Sequence, residues 1–504
     1  MSSRRRQKSL ATLLDRLRQR RRAEAVIDRH YPAWLRRHGT PNQADWPARP
    51  PAPGISVVMP VFRTQPAWLR EAIASVRAQF HPSWELLIAD DGSNTQAIAQ
   101  ILDQAEAADP RIKTLRLPAQ SGISAASNAA LALATHPYVT FLDHDDRLAP
   151  HALAAMAALL ADHPDTALAF SDEDQLHNGR RVRPYFKPGW NPDLLLSQNL
   201  VCHLAVYRRD LVTSLGGLRP AFDGSQDLDL ALRATASAAP GTIRHLPDVL
   251  YHWRQSPGSF SARDPETCRT ATSRALREAL GPNDAVTTDP TLPQWPLVRL
   301  ALPTPAPSIT IIGAPPPPNA YNLALITHAA TPDDATGDIL LFLSPTLHPV
   351  TPDWLSVLAA HALRPGIGAA GARLDAPDGR VLHAGYRLDS HHIAISPRGT
   401  ADAQDPGYRG HFHLARTVSA VSADCLAISR ATFLAAGGFR PGAGDFAAVD
   451  LCLRVAQRGL RSVWAPQARL RYTAPPAPAR AGAAWMRDSW GSALAADPYQ
   501  NPNL

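Results

Sequence analysis

From Ile55 onward the chain alternates short apolar runs with amphipathic stretches, and this alternation constrains the fold more than any other feature. "ISVVM", "WELLIAD", "IKTLRL" and "YVTFL" read as buried strands. Between them, "PAWLREAIASVRAQ", "TQAIAQILDQAEAA" and "ISAASNAALALAT" read as helices. Strands separated by helices make βαβ units, so a mainly parallel sheet covered on both faces is expected. Such sheets bind ligands beyond the carboxyl ends of their strands. Two acidic clusters fall at strand ends, "ADDGS" (Ala89–Ser93) and "DHDD" (Asp143–Asp146). Like charges this close either cap a turn and the next helix, or hold a divalent cation against a ligand's phosphates.

A Pro-rich stretch, Gly281–Ser308, reads as a boundary, and the chain beyond it repeats the first half imperfectly. "YVTFLDHDDRLAPHAL" is echoed by "ILLFLSPTLHPVTPDWL", and "GSQDLDLALR" by "DFAAVDLCLR". Asp143, Asp145 and Asp146 then correspond to Ser344, Thr346 and Leu347, and Asp227 to Ala448. The apolar scaffold is kept while the acids are lost. The expected segments are 1–53, a basic helical arm; 54–280; 281–306, a linker; 307–474, a non-catalytic copy; and 475–504, a tail.

The net charge of +7 is concentrated in the arm. Residues 1–40 hold twelve Lys/Arg against three Asp/Glu, so the remainder is close to neutral. Leu10, Leu13, Leu14 and Leu17 share one side of a basic amphipathic helix. That pattern suits peripheral contact with an anionic membrane, or a solvated helix packed on its own domain. No nucleic-acid module accompanies the charge, and no nucleic-acid partner is expected. No stretch reaches the roughly 20 apolar residues of a membrane span, and no signal-peptide core is present, so a cytoplasmic address is expected. Cys202, Cys268, Cys425 and Cys452 lack metal-like spacing and are expected to be reduced thiols.

"ISVVMPVF", "WELLIADDGS", "GISAASNAAL", "FLDHDD", "GSQDLDLALR" and "YHWR" occur in the order and spacing of the family 2 glycosyltransferases, which this chain resembles over 54–262 and more weakly over 307–474. The closing "DPYQNPNL" is similar to the end of two-domain members that build bacterial surface polysaccharide. The resemblance implies an α/β fold of the GT-A, Rossmann-like type, duplicated, with the second copy truncated. It implies an inverting enzyme that moves a sugar from a nucleoside diphosphate sugar to a glycan or lipid-linked acceptor, at the inner face of the cytoplasmic membrane. Carboxylates alone would repel the diphosphate, and Mn²⁺ or Mg²⁺ between them reverses the sign.

On this resemblance Asp145 is the direct metal ligand, with Asp143 serving the metal or the ribose and His252 as a third ligand. Asp146 is either another ligand or a partner of the next helix. Asp91 would meet the nucleobase, with Pro60 and Phe62 beside the nucleoside and Asn128 and Arg254 completing the donor site. Many relatives carry an arginine where this chain has Ser127. Asp227 would be the base that takes the acceptor's proton, and Asp229 is expected on Arg233. Asp172, Glu173, Asp174 and Trp190 are expected on the acceptor side. The rival expectation is a glycan-binding or assembly protein without catalysis, and no G-x-G-x-x-G follows the first strand to suggest a dehydrogenase.

Overall fold

Helix α1 (Arg21–His38) precedes strand β1 (Ile55–Val61), an interior strand of the first sheet. β1 lies between β2 (Trp84–Asp90) and β4 (Tyr138–Phe141), and β3 (Ile112–Arg116) flanks β2, all four parallel. Every residue of β1 and β2 is buried, so these runs are mostly apolar and show no in-out alternation. Helices α2 (Pro66–Arg77), α3 (Gln96–Ala108) and α4 (Ile123–Leu131) are the crossovers. α2 buries Leu69, Ala72, Ile73 and Val76, one stripe of a 3.6-residue period. The computed structural model describes residues 21–39, 41–46, 52–256, 263–288, 292–314, 325–396, 405–474 and 481–504.

Beyond β4 the sheet becomes mixed. β5 (Arg147–Leu148), β6 (Leu168–His177), β8 (Ala205–Arg208) and β9 (Ile243–Arg254) extend it in the order β4-β8-β6-β9-β5, and β7 (Arg180–Tyr185) forms a hairpin with β6. β8 runs antiparallel to both β4 and β6, and β5 antiparallel to β9, while β6 and β9 are parallel. Only residues 142–146 separate β4 from β5, so "DHDD" is the loop that crosses the sheet's carboxyl edge between two strands that are not neighbours. Helix α5 (Ala152–Asp162) comes next, and α6 (Gln226–Ser237) and α7 (Pro265–Ala279) pack together farther along.

A short hairpin, β10 (Ala285–Thr288) and β11 (Pro296–Arg299), leads to a second sheet. Its strands are β12 (Ser308–Ile312), β13 (Leu325–Ala329), β14 (Ile339–Leu343), β15 (Leu347–Pro349), β16 (Ile367–Asp375), β17 (Cys425–Ser429) and β18 (Arg461–Tyr472). The order β13-β12-β14-β17-β16-β18-β15 repeats β2-β1-β4-β8-β6-β9-β5 strand for strand. The pairing directions repeat as well. The chain is therefore a duplicated GT-A-type α/β fold, and among the described residues the second copy has no counterpart of β3. Much of its shortened start, including most of "GAPPPPNAYN", lies outside the described residues.

The stretch from Pro184 to Asp193, which includes Trp190, is largely a joint between the copies. Asn191 and Thr417 exchange two hydrogen bonds of 2.9 Å, and the Thr417 hydroxyl donates to Asp193 at 2.6 Å. Asp193 also meets Arg364 at 2.7 Å, and the Tyr408 hydroxyl donates to the Pro184 carbonyl at 2.8 Å. The segment from Asp497 to Leu504 closes the assembly. Asp497 accepts from Leu388 and Ser419 of the second copy, while Asn501 and Asn503 bond residues of the first. In α1, Tyr31 and Trp34 pack on Phe186, leaving Arg29, Arg36 and Arg37 exposed. Leu10, Leu13, Leu14 and Leu17 lie outside the described residues.

Two buried histidines of the second copy make its stability depend on pH. Burial, then Arg364, pulls His361 from 6.5 to about 4; burial, then Arg416, pulls His383 to about 3. Both are neutral when folded near neutrality, whereas the unfolded chain protonates them below 6.5. Their contribution is therefore full above pH 6.5 and falls as pH drops from 6.5 toward 4, by roughly 1.4 kcal/mol per pH unit for each residue. Urea midpoints should fall between pH 7 and pH 5, and less so in His361→Gln. Equal midpoints across that range would contradict this.

Candidate active site

The acid loop is held from beneath. Asp146 is fully buried, with Oδ2 accepting from the Tyr251 hydroxyl at 2.7 Å and Oδ1 from the Arg254 amide at 2.6 Å. The Tyr251 oxygen in turn accepts from the Asp143 amide at 3.3 Å. Burial, then the nearby Asp143 and Asp145, push the Asp146 carboxyl well above its ordinary pKa. Asp146 thus anchors the loop to β9. It does not serve the next helix, which begins only at Ala152.

Arg254 clamps the same loop from outside. Its Nε donates to the Asp145 carbonyl at 2.6 Å and its Nη2 to Glu71 at 2.6 Å, with the guanidinium over the Trp68 ring. The Asp145 carboxylate has no hydrogen-bond or ion-pair partner among the described residues. His144 Nδ1 lies 3.1 Å from the Pro60 carbonyl, joining the loop to the end of β1.

Asp227 approaches this loop from α6. The N-cap position belongs to Ser225, so Asp227 is not the cap; Asn199 Nδ2 donates to its Oδ2 at 2.8 Å. Burial raises the Asp143 carboxyl, His203 and His144 pull it down, and Asp145 and Asp227 push it up, so these groups share one electrostatic site. The His203 ring stacks on Tyr251 with centroids 4.4 Å apart, and its Nε2 is 2.8 Å from Cys202 Sγ. Burial, then Asp227, raises the Cys202 thiol well above its usual value. Asn199, Cys202, His203 and Tyr251 are not among the residues expected from sequence. The available signal was three polar residues inside "QNLVCHLAV", just before a buried strand.

His252 does not join this group, which corrects its expected role as third metal ligand. Successive strand residues face opposite ways, so β9 turns Tyr251 toward Asp146 and His252 to the other face. There His252 Nδ1 meets Asp174 Oδ1 at 2.7 Å, and Asp174 also accepts from Tyr31 and Arg181. Among the described residues no three His, Cys, Asp or Glu side chains are gathered as a metal cage. Asp143 and Asp145 alone fit an ion such as Mg²⁺, which takes one or two carboxylates and fills its shell with phosphate oxygens and water.

The nucleoside end is more internally bonded than the sequence suggested. Asp91 accepts from the Ser121 and Gly122 amides at 2.6 and 3.0 Å. Asn128 exchanges hydrogen bonds of 2.7 and 2.9 Å with the Leu218 backbone, so its amide braces a loop. Phe62 is half-buried beside Pro60 and β1, and the Arg63 guanidinium lies over its ring. Asp229 pairs with Arg233 and Arg219, as expected for the former. Asp172 and Asp174 are buried anchors and do not line an acceptor pocket. Trp190 meets Phe170 edge-on and lines a cleft of about 900 Å³ behind α6, which includes Leu232 and Arg364 but none of Asp143, Asp145 and Asp227.

In the second copy, Ser344 and Thr346 hydrogen-bond each other, and Leu347 and Ala448 are buried in its core. Residues 56–216 match the family described as glycosyl transferase family 2. Across 90% of its length the chain is 33% identical to the uncharacterized protein y4gI of Sinorhizobium fredii. It is 32% identical, again across 90%, to the O-antigen biosynthesis protein RfbC of Myxococcus xanthus. It spans only 58% and 40% of the lengths of those two relatives. Among solved structures, S. aureus TarS 1-349 in complex with UDP is similar at 22% identity and a TM-score of 0.37, covering 45% of this chain and 65% of that one. The matched residues carry the acid loop and Asn199, and α6 brings Asp227 to Asn199 from just beyond them.

Proposed function

We propose that the chain is an inverting glycosyltransferase that moves a hexosyl or deoxyhexosyl group from a nucleoside diphosphate sugar to a glycan or lipid-linked acceptor in cell-surface polysaccharide synthesis. The observation that carries this reading is that Asp143 and Asp145, on a loop pinned at the sheet edge, lie within electrostatic reach of Asp227, which Asn199 orients. The name of the Myxococcus relative supports the polysaccharide context.

Asp143 and Asp145 would hold Mn²⁺ or Mg²⁺, which supplies charge neutralisation for the departing diphosphate. Tyr251, Asp146 and Arg254 keep those carboxylates aimed outward. Pro60, Phe62 and Asp91 form the nucleoside end, with Asn128 bracing it. Asp227 accepts the proton of the acceptor hydroxyl as that oxygen attacks the anomeric carbon, and Asn199 holds the receiving carboxylate in place. The second copy, 307–474, is non-catalytic: its counterparts of these acids are Ser344, Thr346, Leu347 and Ala448. The work would be done at the cytoplasmic face of the membrane.

Asp227→Asn keeps the shape and the Asn199 contact but removes the base. It should lower transfer by about a hundredfold or more, while nucleotide binding stays near wild type. Wild-type turnover in that variant would remove Asp227 from the mechanism. The basic arm is proposed as a peripheral membrane contact, with Arg29, Arg36 and Arg37 exposed on its described part. Flotation with anionic liposomes should weaken with salt and on deleting residues 1–40; equal flotation by the truncated protein would end that proposal.

A further inference from the structure

Lys187 is fully buried, an expensive place for an ammonium group unless its protons are satisfied. Its Nζ donates to the carbonyls of Cys202 and His203 at 2.5 and 2.7 Å and lies 3.2 Å from Glu173. The backbone around Lys187 is itself fixed. Its amide donates to Asp172 Oδ1 at 2.9 Å, and Asn501 Nδ2 bridges the Lys187 carbonyl at 2.8 Å and Asp172 Oδ2 at 2.7 Å. His245 Nε2 lies 2.8 Å from the same Asp172 Oδ1.

Asn501 comes from the far end of the chain, and it is buried. Its neighbours secure it. Trp34 of α1 donates to Asn503 Oδ1 at 3.0 Å, Asn503 Nδ2 donates to the Pro247 carbonyl at 3.0 Å, and a Cβ at Gly189 would overlap the Pro498 carbonyl. An unbroken chain of contacts therefore runs from Asn501 through Asp172 and Lys187 to Cys202 and His203. From there it reaches Tyr251 by ring stacking, and Tyr251 touches the Asp143 amide and Asp146.

We propose that Asn501, acting through Asp172 and Lys187, is a positioning residue for the Cys202–His203 segment at the acid site, so that the transferase domain reaches its working geometry only with the 497–504 segment docked. The inference rests on the proposed roles of Asp143 and Asp227. It explains why a domain whose own sheet is complete is closed by a segment that lies beyond a second copy. Docking also makes the second copy useful without acids of its own, because Asp497 ties that segment to Leu388 and Ser419.

The test uses the full chain carrying Asn501→Ala or Lys187→Met, with two readouts. The first is the rate of N-ethylmaleimide labelling at Cys202, read by peptide mass spectrometry against Cys425, which is buried in the second copy. Release of the segment should raise the Cys202 rate about tenfold and leave Cys425 unchanged. An unchanged Cys202 rate would overturn the proposal, and so would a parallel rise at Cys425, which reports general loosening. The second readout is transfer: kcat should fall about tenfold with donor KM within about twofold of wild type. A rise in KM with kcat at the wild-type value would also overturn it. If the wild type transfers no sugar from any nucleotide donor, the functional reading fails, and the labelling contrast still decides the positioning role.

Discussion

The site depends on one buried carboxylate. Asp146 ties the acid loop to β9 through the Tyr251 hydroxyl and the Arg254 amide, and without that tie three acids at a sheet edge would repel one another outward. A buried carboxyl that accepts two hydrogen bonds is stable where an unpartnered one would not be. The tie also divides the labour of the acids: Asp146 faces inward, while the Asp145 carboxylate is left without a partner among the described residues. Arg254 completes the arrangement by gripping the Asp145 carbonyl, so the loop's backbone is fixed and its outer carboxylates are presented.

The same scaffold appears twice with different contents. Strand order and direction are shared, because the apolar strands and their crossovers dictate them. The acids are not shared: they sit in the loop after β4 and in the first turn of α6, where the second copy has Ser344, Thr346, Leu347 and Ala448. With Leu347 in place of Asp146, the second loop is held by apolar packing and needs no charged anchor. The second copy still keeps the Asp450–Arg454 pair that matches Asp229–Arg233, which marks that pair as structural in both. Joined through Asn191, Asp193 and Thr417, and closed by the 497–504 segment, the two copies bury polar contacts that neither could make alone.

Much of this is legible in the sequence. The mostly apolar, fully buried β1 and β2 and the striped α2 are local patterns, and the repeat of the second half rests on the same patterns. The acid loop is legible because its charges interrupt an apolar run. The errors arise where a role depends on which face of a strand a residue occupies. The neighbours of His252 in "YHWR" suggest a metal ligand, but the register of β6 and β9 pairs it with Asp174. Asn128 stands at the expected end of the sheet, yet its amide is engaged with the Leu218 backbone. Antiparallel β8 and β5 escape the parallel expectation because both are too short to show a period. The contacts of Asn501 span more than 300 residues of sequence and have no local signature.

The central claim is that "DHDD" binds a nucleoside diphosphate together with a divalent cation. Titration calorimetry of UDP, dTDP, GDP and CDP, each with and without Mn²⁺, on wild type and Asp145→Ala tests it most directly. The expected result is binding of one nucleotide that requires the metal and is lost in Asp145→Ala. Binding that is indifferent to both the metal and the substitution, or no binding of any of the four, would contradict it.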